Sequence, residues 1–218
     1  MVITSSDWPQ APSPRTLSRA ENVWAKVPTG LDLLDAAALP LVTLTGAQLA
    51  DAVAPRPGLS ILVTGAVGGV GRSAVFVAKA AGATVWAGVR TQQKEAARLL
   101  GADHVVAIDD DQEIAKLPAF DAICDTVSGE TIVKLLSRLK PAGVLGSVLG
   151  EPPAAKGRGV KTIAIRVQPD PNRLAHLAQA AAEKRLVVPV ERTFPIEQAA
   201  EAFRLARSGV IGKVLLRP

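Results

Sequence analysis

Residues Ser60 to Gly71 read Ser-Ile-Leu-Val-Thr-Gly-Ala-Val-Gly-Gly-Val-Gly, and they restrict the fold more than any other stretch. Ile61-Leu62-Val63 is an apolar run too short for a helix and rich in β-branched residues. The chain then turns on glycines and enters Arg72 to Ala80, which has helix composition. A buried strand, a glycine turn and a helix, in that order, open a nucleotide-binding βαβ unit. Each part has a physical task. The strand aims the turn, and the glycines let backbone approach a pyrophosphate. The free N–H groups and dipole of the helix N-terminus then favour the negative charge.

The downstream chain repeats this rhythm. Strands are expected at Thr84–Ala87, His104–Ile108, Phe120–Asp125 and Val144–Val148. Helices are expected at Gln93–Leu100 and Glu130–Leu139, with Asp109-Asp110-Asp111 capping a short helix between them. Strands separated by helices, each strand apolar nearly throughout, indicate an α/β fold: a doubly wound parallel sheet covered on both faces. Lys161–Val167 reads as a sixth strand and Pro171–Lys184 as a helix. Leu186–Val190 reads as a strand weakened by Pro189, Pro195–Ser208 as a helix and Lys213–Leu216 as a last strand. Ahead of the glycine stretch, residues 1–30 carry Pro9, Pro12, Pro14 and Pro28 without periodicity and are expected to be irregular. Leu31–Leu39 is helix-prone and is expected to end at Pro40, with a second helix from Thr43.

The glycine stretch departs from G-x-G-x-x-G at one place: Ala66 holds the first position, before Gly68 and Gly71. The competing reading is a tight turn with no ligand. A phosphate loop of the NTPase type needs lysine before its Ser/Thr, and this chain has Arg72-Ser73. The end of the second strand bears on the cofactor. NAD sites place Asp or Glu there, whereas this chain reads Gly88-Val89-Arg90-Thr91-Gln92-Gln93-Lys94. Arg90 can clamp a 2′-phosphate, aided by the Thr91 hydroxyl and the Lys94 charge, so NADPH is favoured over NADH. The alternative is that Arg90 and Lys94 are ordinary solvated side chains.

Composition removes other functions. The net charge of +5 comes from basic residues scattered among acids, and aromatics are 3%, too few for a base-stacking platform. No nucleic-acid partner is therefore expected. No apolar run reaches membrane-spanning length, and the start lacks the regions of a signal peptide. The single cysteine suits a reducing, cytoplasmic setting. Tyrosine is absent, which excludes a Tyr-x-x-x-Lys dehydrogenase. Cys124, His104 and His176 are not spaced to converge on a metal, and no residue is singled out as catalytic.

The chain resembles the zinc-free quinone oxidoreductase branch of the medium-chain dehydrogenase/reductase superfamily over roughly residues 20–218. The resemblance rests on Asp35-Ala36-Ala37-Ala38-Leu39-Pro40 with Leu44-Thr45, on Gly65–Gly71, and on Ala97–Val106. Phe120–Gly129, Thr193-Phe194-Pro195-Ile196 and Gly212-Lys213-Val214-Leu215 extend it. It implies a Rossmann-like cofactor domain and NADPH-dependent hydride transfer to a quinone, enone or related carbonyl compound. By analogy Gly68, Gly69 and Val70, with Gly71 in the same turn, face the pyrophosphate. Arg90, Thr91 and Lys94 face the 2′-phosphate, and Val127 lies near the adenosine ribose. Thr45 is either a neighbour of the nicotinamide or a helix cap.

The resemblance also divides the chain. Residues 1–34 would be the remnant of a catalytic domain, 35–184 the NADPH-binding domain, and 185–218 segments returning toward the catalytic domain. By this resemblance, most of the family's larger N-terminal domain is expected to be missing ahead of Leu31. Two functions follow: an oxidoreductase, or a non-catalytic NADPH-binding module or truncated remnant. A homodimer formed through the 161–167 strand is the expected assembly.

Overall fold

Ser60–Thr64 (β1) is shut off from solvent after its first residue, with Ile61, Leu62 and Val63 wholly inaccessible. A strand closed on both faces requires helices above and below it. The computed structural model, which describes residues 23–217, supplies them.

Among the described residues, two α-helices precede β1: α1 (Leu33–Ala37) and α2 (Pro40–Ala52). After β1 come α3 (Gly69–Ala80), β2 (Thr84–Val89), α4 (Lys94–Arg98) and β3 (His104–Ala107). The second half runs α5 (Asp111–Ala115), β4 (Phe120–Asp125), α6 (Gly129–Leu135), β5 (Leu139–Ser147), β6 (Lys161–Ala164) and α7 (Pro171–Ala182). These strands form one sheet in the order β3-β2-β1-β4-β5-β6, with every pairing parallel. The chain winds outward from β1 to β3, then crosses back to place β4 beside β1. The crevice at the carboxyl ends of β1 and β4 is the switch point where such sheets bind ligands. The doubly wound parallel sheet expected from the apolar rhythm is therefore the architecture found.

Alternation along β1 divides the core. Ile61 and Val63 join the layer containing Leu49, Val75 and Leu177, under α2, α3 and α7. Leu62 joins the opposite layer with Ile114, Phe120, Ile132 and Leu145. Each such burial stabilises by about 1.5–3 kcal/mol relative to exposure. The α2–α3 contact is close enough for the Ser73 hydroxyl to donate to the Thr43 carbonyl at 2.7 Å in a buried setting.

Several boundaries differ from expectation, among them the helix expected over Glu130–Leu139, which stops at Leu135 so that β5 begins at Leu139. Pro40 starts α2 instead of ending the helix before it, because its fixed φ suits the first helical position, where no N–H is needed. Leu186–Val190 is not a strand, although Leu186 and Val188 are buried. Pairing begins only at Val190, just after Pro189, in β7 (Val190–Pro195), which runs parallel to β8 (Lys213–Arg217). These two strands, with α8 (Ala199–Arg207) between them in sequence, form a sheet separate from the first. Finally, β6 stops at Ala164, and Gln168 is tied instead to the Gln48 side chain, through Gln48 Nε2 to Gln168 O at 2.7 Å and Gln168 N to Gln48 Oε1 at 2.9 Å. Among the described residues no helix is long and apolar enough to cross a membrane. The irregular segment expected at 1–30 lies mostly outside the described residues.

Candidate functional site: a cleft at the switch point

The turn after β1 is tight because its two ends touch. Gly65 has φ +62°, and a Cβ on it would strike the Thr126 hydroxyl. A Cβ on Gly71 would overlap the Gly65 carbonyl and stand 2.7 Å from the Ala66 Cα. Gly68 N donates to Gly65 O at 2.9 Å, and Ala66 N to Gly88 O at 3.2 Å, which binds the turn to the end of β2. Helix α3 begins at Gly69, three residues earlier than helix composition suggested, so Gly69, Val70 and Gly71 form its first turn. Its N-cap is Gly68, and no side chain caps it. A cradle that excludes Cβ atoms and ends in uncapped helical amides fits a diphosphate.

A cleft of about 260 Å³ opens here. It is lined by Gly65, Val67 and Gly68 of the glycine turn, by Val89, Arg90, Gln93 and Ile108, and by Thr126 and Val127 after β4. The last side is Gly209, Val210 and Ile211, between α8 and β8. Gly68, Arg90 and Val127, all singled out in the sequence, thus border one space. Gly69, Val70 and Gly71 lie just behind Gly68; Gly71 is buried and Val70 packs partly into the core.

Thr91 and Lys94 are engaged elsewhere. The Thr91 amide and hydroxyl both donate to Asp109 Oδ1, at 2.8 and 2.9 Å. Lys94 Nζ contacts Glu113 Oε1 at 2.7 Å. Partial desolvation works to raise the Asp109 carboxyl, but the Thr91 hydrogen bonds and the nearby Arg90 charge hold it below its ordinary range. The Lys94 hydrogen bond, with that of the Ala107 amide, lowers the Glu113 carboxyl. The Arg90 backbone amide donates to Gln93 Oε1 at 3.2 Å, and its side chain is exposed. Thr45 sits inside α2 and donates to the Leu41 carbonyl at 2.6 Å; it neither caps the helix nor lines this cleft. A larger cavity of about 420 Å³ flanks Leu41 and Leu44 and shares no residue with the cleft.

Sequence reasoning missed Asp125. Its carboxylate closes β4 with no solvent exposure. Oδ1 accepts from the Thr64 hydroxyl at 3.0 Å and from the amides of Val127 and Ser128 at 3.1 and 3.0 Å. Oδ2 accepts from the Ser147 hydroxyl at 2.9 Å. One side chain therefore joins the carboxyl ends of β1, β4 and β5 and holds the loop carrying Val127. Ser128 sits at φ +55°, a costly conformation for a non-glycine residue. An acid at the end of an apolar strand was the available clue. Gly209–Ile211 offered none, being more than a hundred residues from the glycine turn.

The soft ligands are dispersed. His104 stacks on Trp86 with ring centroids 4.1 Å apart, and His176 is exposed on α7. Cys124 is fully buried in β4, and desolvation, with Asp125 adjacent, pushes its thiol up to about 12. Among the described residues no three His, Cys, Asp or Glu side chains group to hold a metal ion. These residues do not fit a zinc centre.

Comparison with known proteins places this geometry. A family model described as zinc-binding dehydrogenase matches residues 100–216. The polyketide synthase GfsB of Streptomyces halstedii is 32% identical over 209 residues, which cover 88% of this chain and 4% of the synthase. The quinone oxidoreductase from Coxiella burnetii superposes with a TM-score of 0.79 at 24% identity, covering 88% of this chain and 63% of that one. The quinone oxidoreductase from Thermus thermophilus, solved alone and with NADPH, superposes with a TM-score of 0.69 at 27% identity, covering 88% and 68%. The chain thus spans a small fraction of that synthase and under two thirds of the Coxiella enzyme. The match to more than half of the chain, joined to the six-stranded sheet and its glycine cradle, makes this protein a member of the zinc-binding dehydrogenase family, within the medium-chain dehydrogenase/reductase superfamily.

Proposed function

We propose that the chain binds NADPH in the switch-point cleft and serves hydride transfer to a quinone, enone or related carbonyl compound. The observation that carries this reading is Arg90. It closes β2 beside the glycine cradle, where an NAD site would place a carboxylate. A guanidinium there attracts the 2′-phosphate that a carboxylate would repel. The cradle amides of α3 take the diphosphate, and Val127 faces the ribose. When bound, the nicotinamide supplies the hydride; the chain's own part is to orient it and keep water away. The Thermus thermophilus relative, solved with NADPH, supports the cofactor, and both quinone oxidoreductases support the substrate class.

A second reading is that the chain holds NADPH without turnover. It is favoured by the cleft lining, whose only ionisable side chain among the described residues is Arg90. Under either reading the expected assembly is a dimer through the 161–167 segment that begins with β6, in a reducing cytoplasmic compartment.

The test is calorimetric titration with NADPH and NADH, followed by NADPH oxidation with 1,4-benzoquinone. Tighter NADPH binding that Arg90→Glu abolishes, together with oxidation, supports the oxidoreductase. Binding without oxidation supports the module. Equal loss of NADPH and NADH in Arg90→Glu refutes the phosphate assignment.

A further inference from the structure

Helix α8 turns an aromatic side chain to solvent. Phe203 is 67% exposed, while its neighbour Ala202 is buried. Ala200, Phe203, Arg204 and Arg207 follow the i, i+3, i+4, i+7 spacing of one helix face, and all are exposed. The Glu201 carboxylate on the same helix is met by Arg192 at 3.7 Å. Among the described residues no carboxylate pairs with Arg204 or Arg207. An uncovered ring beside two uncommitted guanidinium groups has the composition of an interface anchor.

A complementary surface lies elsewhere on the same molecule. A recess of about 120 Å³ opens between α1 and the segment that runs from α7 to β7. Leu31, Leu39, Ala181, Leu186 and Val188 line it, with Asp35 on its α1 side. Asp35 forms no ion pair among the described residues. Asp32 caps α1 by accepting from the Leu34 amide at 2.8 Å. The short helix therefore carries two acids beside the exposed Leu33 and Leu34. Lys184 also lines the recess, one cation against those two acids. The recess shares no residue with the switch-point cleft.

We propose that Phe203 of one copy seats in the α1 recess of a second copy, with Arg204 and Arg207 facing Asp35 and Asp32. Ring and recess are different surfaces, so the contact is heterologous and each copy carries both halves. The ring supplies apolar burial at the centre, and the opposite charges around it fix orientation and partner. The contact is independent of the β6 edge and of the nucleotide reading.

The test is sedimentation velocity of the full chain at rising concentration. Self-association is expected, and Phe203→Ser should weaken it by about tenfold or more. Because Phe203 is exposed, that variant should keep the melting temperature of the parent. Arg204→Glu and Asp35→Arg should each weaken association, whereas an equimolar mixture of the two should associate more strongly than either alone. In the mixture the introduced carboxylate of one chain meets the introduced guanidinium of the other. Association that Phe203→Ser leaves unchanged, or a mixture no stronger than its components, overturns the contact. A parent that stays monomeric at about 100 μM overturns it too. So does a monomer that sediments with phosphatidylserine vesicles only when Phe203 is present, which would assign the ring to a membrane surface.

Discussion

The Thr64 hydroxyl donates to the Asp125 carboxylate at 3.0 Å and accepts from the Thr126 amide at 2.9 Å. This pair stitches the ends of β1 and β4 at the point where the sheet opens toward the cleft. Both side chains have no solvent access, so the Thr64 hydroxyl depends on that carboxylate.

Replacing Asp125 by alanine should therefore cost about 3–5 kcal/mol of stability, as expected when buried partners are left unpaired. Asp125→Asn should cost less, because its amide oxygen retains the Thr64, Val127 and Ser128 bonds. Urea unfolding of both variants measures this. Equal stability of alanine variant and parent would show that the network contributes nothing.

Gly71→Ala forces a methyl group into the Gly65 carbonyl. The turn must open or the helix must shift, which costs about 1–3 kcal/mol as overpacking does. Nucleotide affinity should fall with it, measured by titration beside thermal unfolding. A variant that keeps both would show the turn to be slack.

Lys94→Met should reduce NADPH affinity much less than Arg90→Met, since Lys94 Nζ is held by Glu113. About twofold against about tenfold is the expected contrast. Equal losses would place both cations on the phosphate.

Acid should destabilise the fold. Hydrogen bonds from Lys79 and Lys94, with backbone amides and the lysine charges, lower the folded-state pKa of Asp103 and Glu113 against opposing desolvation. A depressed carboxyl contributes stability that is complete above its unfolded value, about 4, and is lost as pH falls through the folded value. Glu113→Gln should shallow the decline of melting temperature below about pH 4. An identical profile would mean that the Lys94–Glu113 pair has no linkage to folding.

The Cys124 thiol should resist a disulfide-exchange reagent in the native chain at about pH 8 and react within the mixing time in urea. Burial and a pKa of about 12 both suppress the thiolate. Rapid native labelling would reveal frequent opening of β4.

The sheet was readable because Ile61–Val63, Val105–Ala107 and Phe120–Cys124 are largely apolar on both faces, a pattern that a covered parallel strand satisfies. The glycine cradle was readable because backbone crowding there forbids side chains. The neighbours of Thr91 and Lys94 were not. Asp109 and Glu113 lie across a strand, and nothing local to Arg90 announces them. Pro40 was misjudged because proline both ends and begins helices, and only the turn at Ala38-Leu39 decides between the two. The Gly209–Ile211 wall was invisible for a topological reason, since the β7–β8 unit folds back from a distant part of the chain.

That distance has a consequence for synthesis on the ribosome. The cleft draws on residues 65, 67–68, 89–90, 93, 108, 126–127 and 209–211. Its last side emerges long after the glycine turn. A nucleotide that prefers the completed space would add its stabilisation only once that segment has docked. Occupancy would then certify finished cofactor domains and leave nascent ones to quality control.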